Sequence, residues 1–392
     1  MQLPLEGIRV LDLSRLLPGP LCTLFLADLG AEVIKVEDHA GGDYIRWFEP
    51  RMKHQSAFFY VLNRNKKSIR LNLRDEEGRG IFKKIVKDAD VLVETFRPGA
   101  MDRLGLGWQH LKEINPGLVY CSLTGYGQEG PYKDWPGHDV NYLSLAGVLG
   151  MIGTREGRPV IPGIQIADVG AGALPAAVAI LAALFGKQRT GKGQFLDVAM
   201  VDGAILFLSM HMARYMADGD PHKMANELLS GAFAFYNIYQ AGDGRYVAVG
   251  CLEEKFWNEF CRAIEREDLI AEMFAEEPRR SEIIAEVAEI MKTRTSDEWL
   301  ALLKDYDVCF TRINTFDEAL QDPYIKHRNL WFMKDYGPEG QIPQMAFPVK
   351  FSDIEPGWVS PPPELGEHTG EVLRSMGYSE EEIAELAKKK VI

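Results

Sequence analysis

The sequence is poor in cysteine and in positive charge. Five cysteines, at 22, 121, 251, 261 and 309, are scattered through 392 residues with no Cys-x-x-Cys pair. An odd, dispersed set gives no support to a disulfide framework or a zinc knuckle. It suits free thiols in a reducing compartment, so a cytoplasmic location is expected. Lys and Arg number 44 against 57 Asp and Glu, a formal net charge of -13. So acidic a chain argues against nucleic acid or an anionic membrane as the main partner. An anionic small ligand would need a local basic pocket.

Long apolar runs are also scarce. The most apolar stretch, 169–185, is rich in Ala and Gly, contains Pro175, and falls short of the roughly 20 apolar residues a membrane span needs. It reads as a buried helix, and no membrane partner is expected. The start, Met1-Gln2-Leu3-Pro4, lacks the basic and then apolar profile of a secretory leader, and the C-terminal residues are no peroxisomal address.

Several catalytic signatures are missing as well. Gly186-Lys187-Gln188-Arg189-Thr190-Gly191-Lys192 begins like a phosphate-binding loop, but Gly193 stands where the Mg²⁺-binding Ser or Thr belongs. The segment also follows a helix rather than a strand, so a basic helix end capped by glycine explains it better. No G-x-G-x-x-G follows the first strand, which speaks against a dinucleotide site. H-E-x-x-H and G-x-S-x-G are absent, and the eight histidines show no metal-ligand spacing, so no metal site is expected.

What is present is an alternation of short apolar runs and amphipathic stretches. Strands are predicted at 8–13, 31–36, 68–73, 91–96 and 118–123, with helices at 21–29, 75–88 and 108–114. Strands alternating with helices imply βαβ units and a parallel sheet, a Rossmann-like α/β fold with ligands at the carboxyl ends of the strands. The turns after Glu37, Phe96 and Thr124 are therefore candidate ligand loops. A Gly/Ala-rich helical region follows at 169–216. A mixed region, 226–330, reads as a smaller domain. The Pro361-Pro362-Pro363 strip then leads to an acidic helix from Ser379.

Two segments concentrate reactive groups. Pro136-Gly137-His138-Asp139-Val140-Asn141-Tyr142 packs an imidazole, a carboxylate, an amide and a phenol into five residues after a turn. In Ile166-Ala167-Asp168-Val169-Gly170-Ala171-Gly172 a lone carboxylate precedes a helix. An Asp there is a good N-cap, and free N–H groups at a helix start favour developing negative charge.

The chain also resembles the family III CoA-transferases, a superfamily that includes α-methylacyl-CoA racemase. The resemblance rests on the run Leu5-Glu6-Gly7-Ile8-Arg9-Val10-Leu11-Asp12, on Pro18-Gly19-Pro20, and on Asp28 through Glu37. It continues in Asn63-Arg64-Asn65-Lys66-Lys67-Ser68-Ile69, Arg97-Pro98-Gly99, Gly125-Tyr126-Gly127, Gly191-Lys192-Gly193-Gln194 and Asp202-Gly203. It implies a large CoA-binding α/β domain at 1–200 with 331–392 returning to it, a linker helix at 201–225, and a small α+β domain at 226–330. It further implies an interlocked homodimer, with the active site between the large domain of one chain and the small domain of the other.

Asp168 matches the family's catalytic Asp, a nucleophile in the transferases and a proton carrier in the racemases. The Gly137-to-Tyr142 segment resembles the racemase pattern, in which His138 is the second acid/base, and Glu253 in Gly250-Cys251-Leu252-Glu253 matches a supporting carboxylate. No tightly bound cofactor is expected, since CoA enters as part of the substrate. Its phosphates are expected to meet Arg97 and the Arg64, Lys66, Lys67 cluster, with Tyr142 also in the CoA site. Where family members carry an Arg after the strand ending in Glu37, this chain has Asp38 and His39. Arg15 or Arg46 is the expected substitute. Enolate charge is expected to fall on N–H groups at the start of the 169–185 helix.

Overall fold

The alternation folds into a six-stranded, all-parallel sheet in the computed structural model, which describes residues 2–219 and 224–392. The strands are β1 (Arg9–Leu13), β2 (Glu32–Glu37), β3 (Lys66–Arg70), β4 (Val91–Glu94), β5 (Val119–Thr124) and β6 (Phe195–Ala199). Their order is β3-β2-β1-β4-β5-β6, so strand order reverses between β1 and β4. Such a reversal leaves a crevice at the carboxyl ends of those two strands. The central strands are buried on both faces, which is why they read as continuous apolar runs.

The connecting helices are α1 (Pro18–Asp28), α2 (Ala57–Leu62), α3 (Glu76–Val86), α4 (Ala100–Arg103), α5 (Trp108–Ile114), α6 (Asp139–Leu145), α7 (Leu174–Thr190) and α8 (Met200–Ile205). β6 lay outside every expected strand. It is an edge strand whose alternate residues face solvent, and Asp197 breaks its apolar pattern. β3 lies two residues earlier than expected, because Lys66 is buried in it against carboxylate and carbonyl partners.

Compactness divides the chain into two units, one formed by residues up to Val148, Pro162–Leu208 and Ile325–Ile392, the other by Leu149–Ile161 and Ser209–Tyr324. The second holds α9 (Ser209–Asp218), the antiparallel sheet of β7 (Tyr236–Gln240), β8 (Tyr246–Gly250) and β9 (Phe310–Arg312), and helices α10 (Glu254–Ala263), α11 (Arg279–Met291), α12 (Ser296–Leu303) and α13 (Phe316–Gln321). The expected linker helix at 201–225 is broken into α8, a tight turn and α9, and its residues 220–223 lie outside the described residues. The first unit resumes within α14 (Pro323–Arg328), at Ile325, and continues with the hairpin β10 (Trp331–Asp335) and β11 (Gln341–Met345), then α15 (Thr369–Ser375) and α16 (Glu380–Lys388).

The apolar 169–185 stretch needs a correction. Helix runs unbroken from Ala167 to Thr190, 24 residues, long and apolar enough by length and composition to cross a membrane. Nor is it wholly buried. Ala176, Ala177, Ile180, Ala183 and Leu184 pack inward, while Leu174, Val178, Leu181 and Phe185 form an exposed stripe along the other side. Its first seven residues, Ala167–Ala173, are wound as a π-helix, and Pro175 sits just where the winding tightens to α. Proline has no N–H to donate, so the change of pitch falls where a ladder bond would be missing anyway. Gly191, with φ 68°, closes the helix as the sequence suggests.

Candidate active site

The crevice begins with the turn after β1. Leu16 is held at φ 63°, a left-handed conformation costly for a side-chain-bearing residue. A buried ionic network supports that turn. The Lys35 ammonium donates to the Ser14 carbonyl at 2.8 Å and pairs with Asp43 at 3.1 Å. Asp43 in turn accepts the N–H groups of Leu16 and Ile45. Asp12 accepts from the Ser14 N–H at 2.9 Å and the Lys66 ammonium at 3.1 Å. Burial works against the Asp12 charge, yet Lys35 and Lys66 hold its carboxyl well below the usual range. The turn leaves Arg15 half-buried over the Phe96 ring, 5.0 Å from its centroid.

The turn after β4 supplies the next wall. Glu94 accepts the Phe96 N–H at 2.7 Å and the Ser122 hydroxyl, which pins the chain just before Arg97. Burial pushes the Glu94 carboxyl up to about 7. Arg97 itself is exposed at the mouth, followed by Pro98 and by Gly99 at φ 75°.

The third wall comes from α6. His138 is its N-cap residue, solvent-exposed, with its N–H donating to Asn141 Oδ1 at 3.0 Å. One turn on, the Tyr142 ring lies against two glycines. A Cβ on Gly125 would sit 2.2 Å from it, and one on Gly137 would sit 2.7 Å from it and from the Tyr126 hydroxyl. The Tyr142 hydroxyl donates to the Gly137 carbonyl, closing the turn that presents His138.

Asp168 is the second residue of the π-helical turn, not its cap, and Asp139 Oδ1 accepts its main-chain N–H at 2.9 Å. Burial first, then the like charge of Asp139, push the Asp168 carboxyl up to about 6. These walls enclose a cleft of about 650 Å³.

The first unit thus gathers Asp168, His138, Tyr142, Arg97 and Arg15 around one cleft, with Lys133 as a cation that the sequence reading missed. Lys133 lies five residues before His138, and that nearness was the available signal. Glu253 belongs to the second unit, where it is the N-cap residue of α10.

Other expectations need correction. Arg64, Lys66 and Lys67 do not form a phosphate-binding cluster. Arg64 is buried, with its guanidinium on Asp28 at 2.5 and 3.1 Å and on Gln344 at 3.0 Å. Lys66 is buried on Asp12, Asn63 and the Pro20 carbonyl. Lys67 pairs with Glu32 and Glu371. Arg46 is likewise committed, forked onto Glu37 and stacked 3.6 Å from the Phe59 ring centroid, whereas Arg15 lines the cleft. The helix start is also less free than expected, for the Asp168 N–H is taken by Asp139 and the Val169 N–H by the Gln165 carbonyl.

Comparison with known proteins identifies the family. Residues 5–369 match the model of CoA-transferase family III. The human succinyl-CoA:glutarate CoA-transferase is 33% identical over 99% of this chain and 90% of its own. The human alpha-methylacyl-CoA racemase is also 33% identical, over 99% of this chain and 97% of its own. A CAIB/BAIF family protein from Brucella suis has a similar crystal structure, with a TM-score of 0.83 and 33% identity over 96% of this chain and all of that one.

Proposed function

The chain belongs to CoA-transferase family III and is an enzyme of that family, and we propose that it moves a proton at the α-carbon of a CoA thioester, as a 2-methylacyl-CoA racemase or epimerase. One observation carries the reading. An imidazole and a carboxylate, His138 and Asp168, line one cleft, and burial pushes the Asp168 carboxyl up to about 6, near neutrality. A thioester α-proton is weakly acidic, so a base must stand on one face of the carbon and an acid on the other. One group takes the proton, the thioester carbonyl carries the charge as an enolate, and the other group returns a proton to the opposite face. Arg97, Arg15 and Lys133 suit the phosphates of CoA in an otherwise acidic protein, and we assign Tyr142 to the same CoA site. In this proposal Glu253 supports His138 across an interlocked homodimer. The exposed stripe of α7 is apolar enough to need such a partner, and a second copy, not a membrane, is the cover we propose.

A second reading has its own support. Relatives as similar as the racemase carry transferase names, and a cleft carboxylate such as Asp168 can also attack a thioester. Chiral 2-methylacyl-CoA thioesters separate the two. The proton-transfer reading expects either epimer alone to become a mixture without any acceptor acid. His138→Ala should stop the inversion while CoA still binds. Full inversion by that variant would remove His138 from the mechanism.

A further inference from the structure

Asp139 follows His138 in sequence, yet its side chain serves the other half of the site. It leaves the first turn of α6 and accepts the main-chain N–H of Asp168, 29 positions away. The bond ties the first turn of α6 to the backbone at Asp168, in the first turn of the π-helical segment. It also places a second carboxylate beside the first. Two neighbouring carboxylates do not ionise independently, because each charge opposes the other.

We propose that Asp139 is a positioning residue of the active site: it anchors the Asp168 backbone and, as a like charge beside it, sets the protonation state that Asp168 brings to the reaction. The inference rests on the proton-transfer reading of Asp168 and extends it. A carboxylate that only attacks a thioester gains from staying ionised. One that gives and takes a proton gains from a neighbour that keeps its proton within reach near neutrality. The raised carboxyl of Asp168, for which burial and Asp139 are the causes, agrees with the geometry.

The other titratable groups on the elements packed against this turn are few. Tyr142 lies on α6 and His138 caps it, Asp202 lies on α8, Asp197 on β6, Cys22 and Asp28, the latter already paired with Arg64, on α1, and Lys187, paired with Asp90, and Arg189 at the far end of α7. The cleft walls add the cations Arg15, Arg97 and Lys133 and the phenols Tyr44 and Tyr126. None of these groups accepts the Asp168 N–H, which goes to Asp139.

Two variants separate charge from anchoring. Asp139→Asn keeps an oxygen that can accept the Asp168 N–H and removes the charge. Asp139→Ala removes both. The direct readout is the titration of Asp168 by carbon-13 NMR of side-chain-labelled aspartate in the substrate-free protein, with Asp168→Asn identifying the signal. Asp139→Asn should lower the Asp168 pKa by about one unit and move the acid limb of the pH–rate profile down with it. Asp139→Ala should do the same and also lower kcat on the order of tenfold or more with KM little changed, since the cleft cations stay in place. An Asp168 titration unchanged in both variants would overturn the proposal. Because the titration needs no substrate, a positive result there beside an absent α-proton exchange would condemn the proton-transfer reading and leave the Asp139–Asp168 coupling intact.

Discussion

Arg64 and Arg97 carry the same charge into different surroundings. Arg64 is buried against Asp28, so removing it strands a carboxylate in the interior, at a cost on the order of 3 kcal/mol. Arg97 stands in solvent at the cleft mouth, where its removal costs the fold little. Arg97→Ala should therefore leave the melting temperature nearly unchanged and weaken CoA binding roughly tenfold by calorimetry. Arg64→Ala should show the reverse order, a large loss of thermal stability first. Equal melting temperatures for the two variants would contradict this division. Nothing in the sequence separates them, because partners such as Asp28 and Gln344 lie 36 and 280 positions from Arg64. His138 and Asp168 were legible because their segments are locally dense in reactive groups and match a family pattern. The role of Asp139 was not, since a carboxylate next to an N-cap looks like an ordinary first-turn residue.

At the scale of elements, glycine positions decide how tightly the site closes. Gly125 directly follows β5, under the Tyr142 ring, and a Cβ there has no room. Gly125→Ala should displace Tyr142, cost about 1–3 kcal/mol in urea denaturation, and reduce turnover with it. Gly80, an exposed position in α3 with nothing within 4 Å of its missing Cβ, is the control. Alanine there should stabilise by up to about 1 kcal/mol. A neutral Gly125→Ala would mean that Tyr142 is not held as described. Most sheet strands were readable because burial on both faces leaves apolar runs, as in β1, β4 and β5. β6 was not, because an edge strand needs only one apolar face. The π-helical winding at Asp168 was equally hidden, since Gly and Ala fit either pitch, and only Pro175 marked its end.

For the whole molecule, the apolar stripe of α7 and the exposed Leu206 and Phe207 after α8 leave a surface that one copy does not cover. The protein should therefore be a homodimer in light scattering at micromolar concentration. In the proposed interlocked assembly the chains must unfold to part, so tagged and untagged preparations should mix only slowly. A monomer, or rapid mixing, would contradict that assembly. The chemistry has a more direct test. The enzyme is incubated in D₂O with a chiral 2-methylacyl-CoA, without acceptor acid, and in a parallel sample with hydroxylamine. Proton transfer by His138 and Asp168 predicts deuterium at the α-carbon and an unmodified Asp168. Hydroxylamine capture of Asp168 with no deuterium, across a panel of branched acyl-CoA thioesters, would contradict it and make Asp168 a nucleophile.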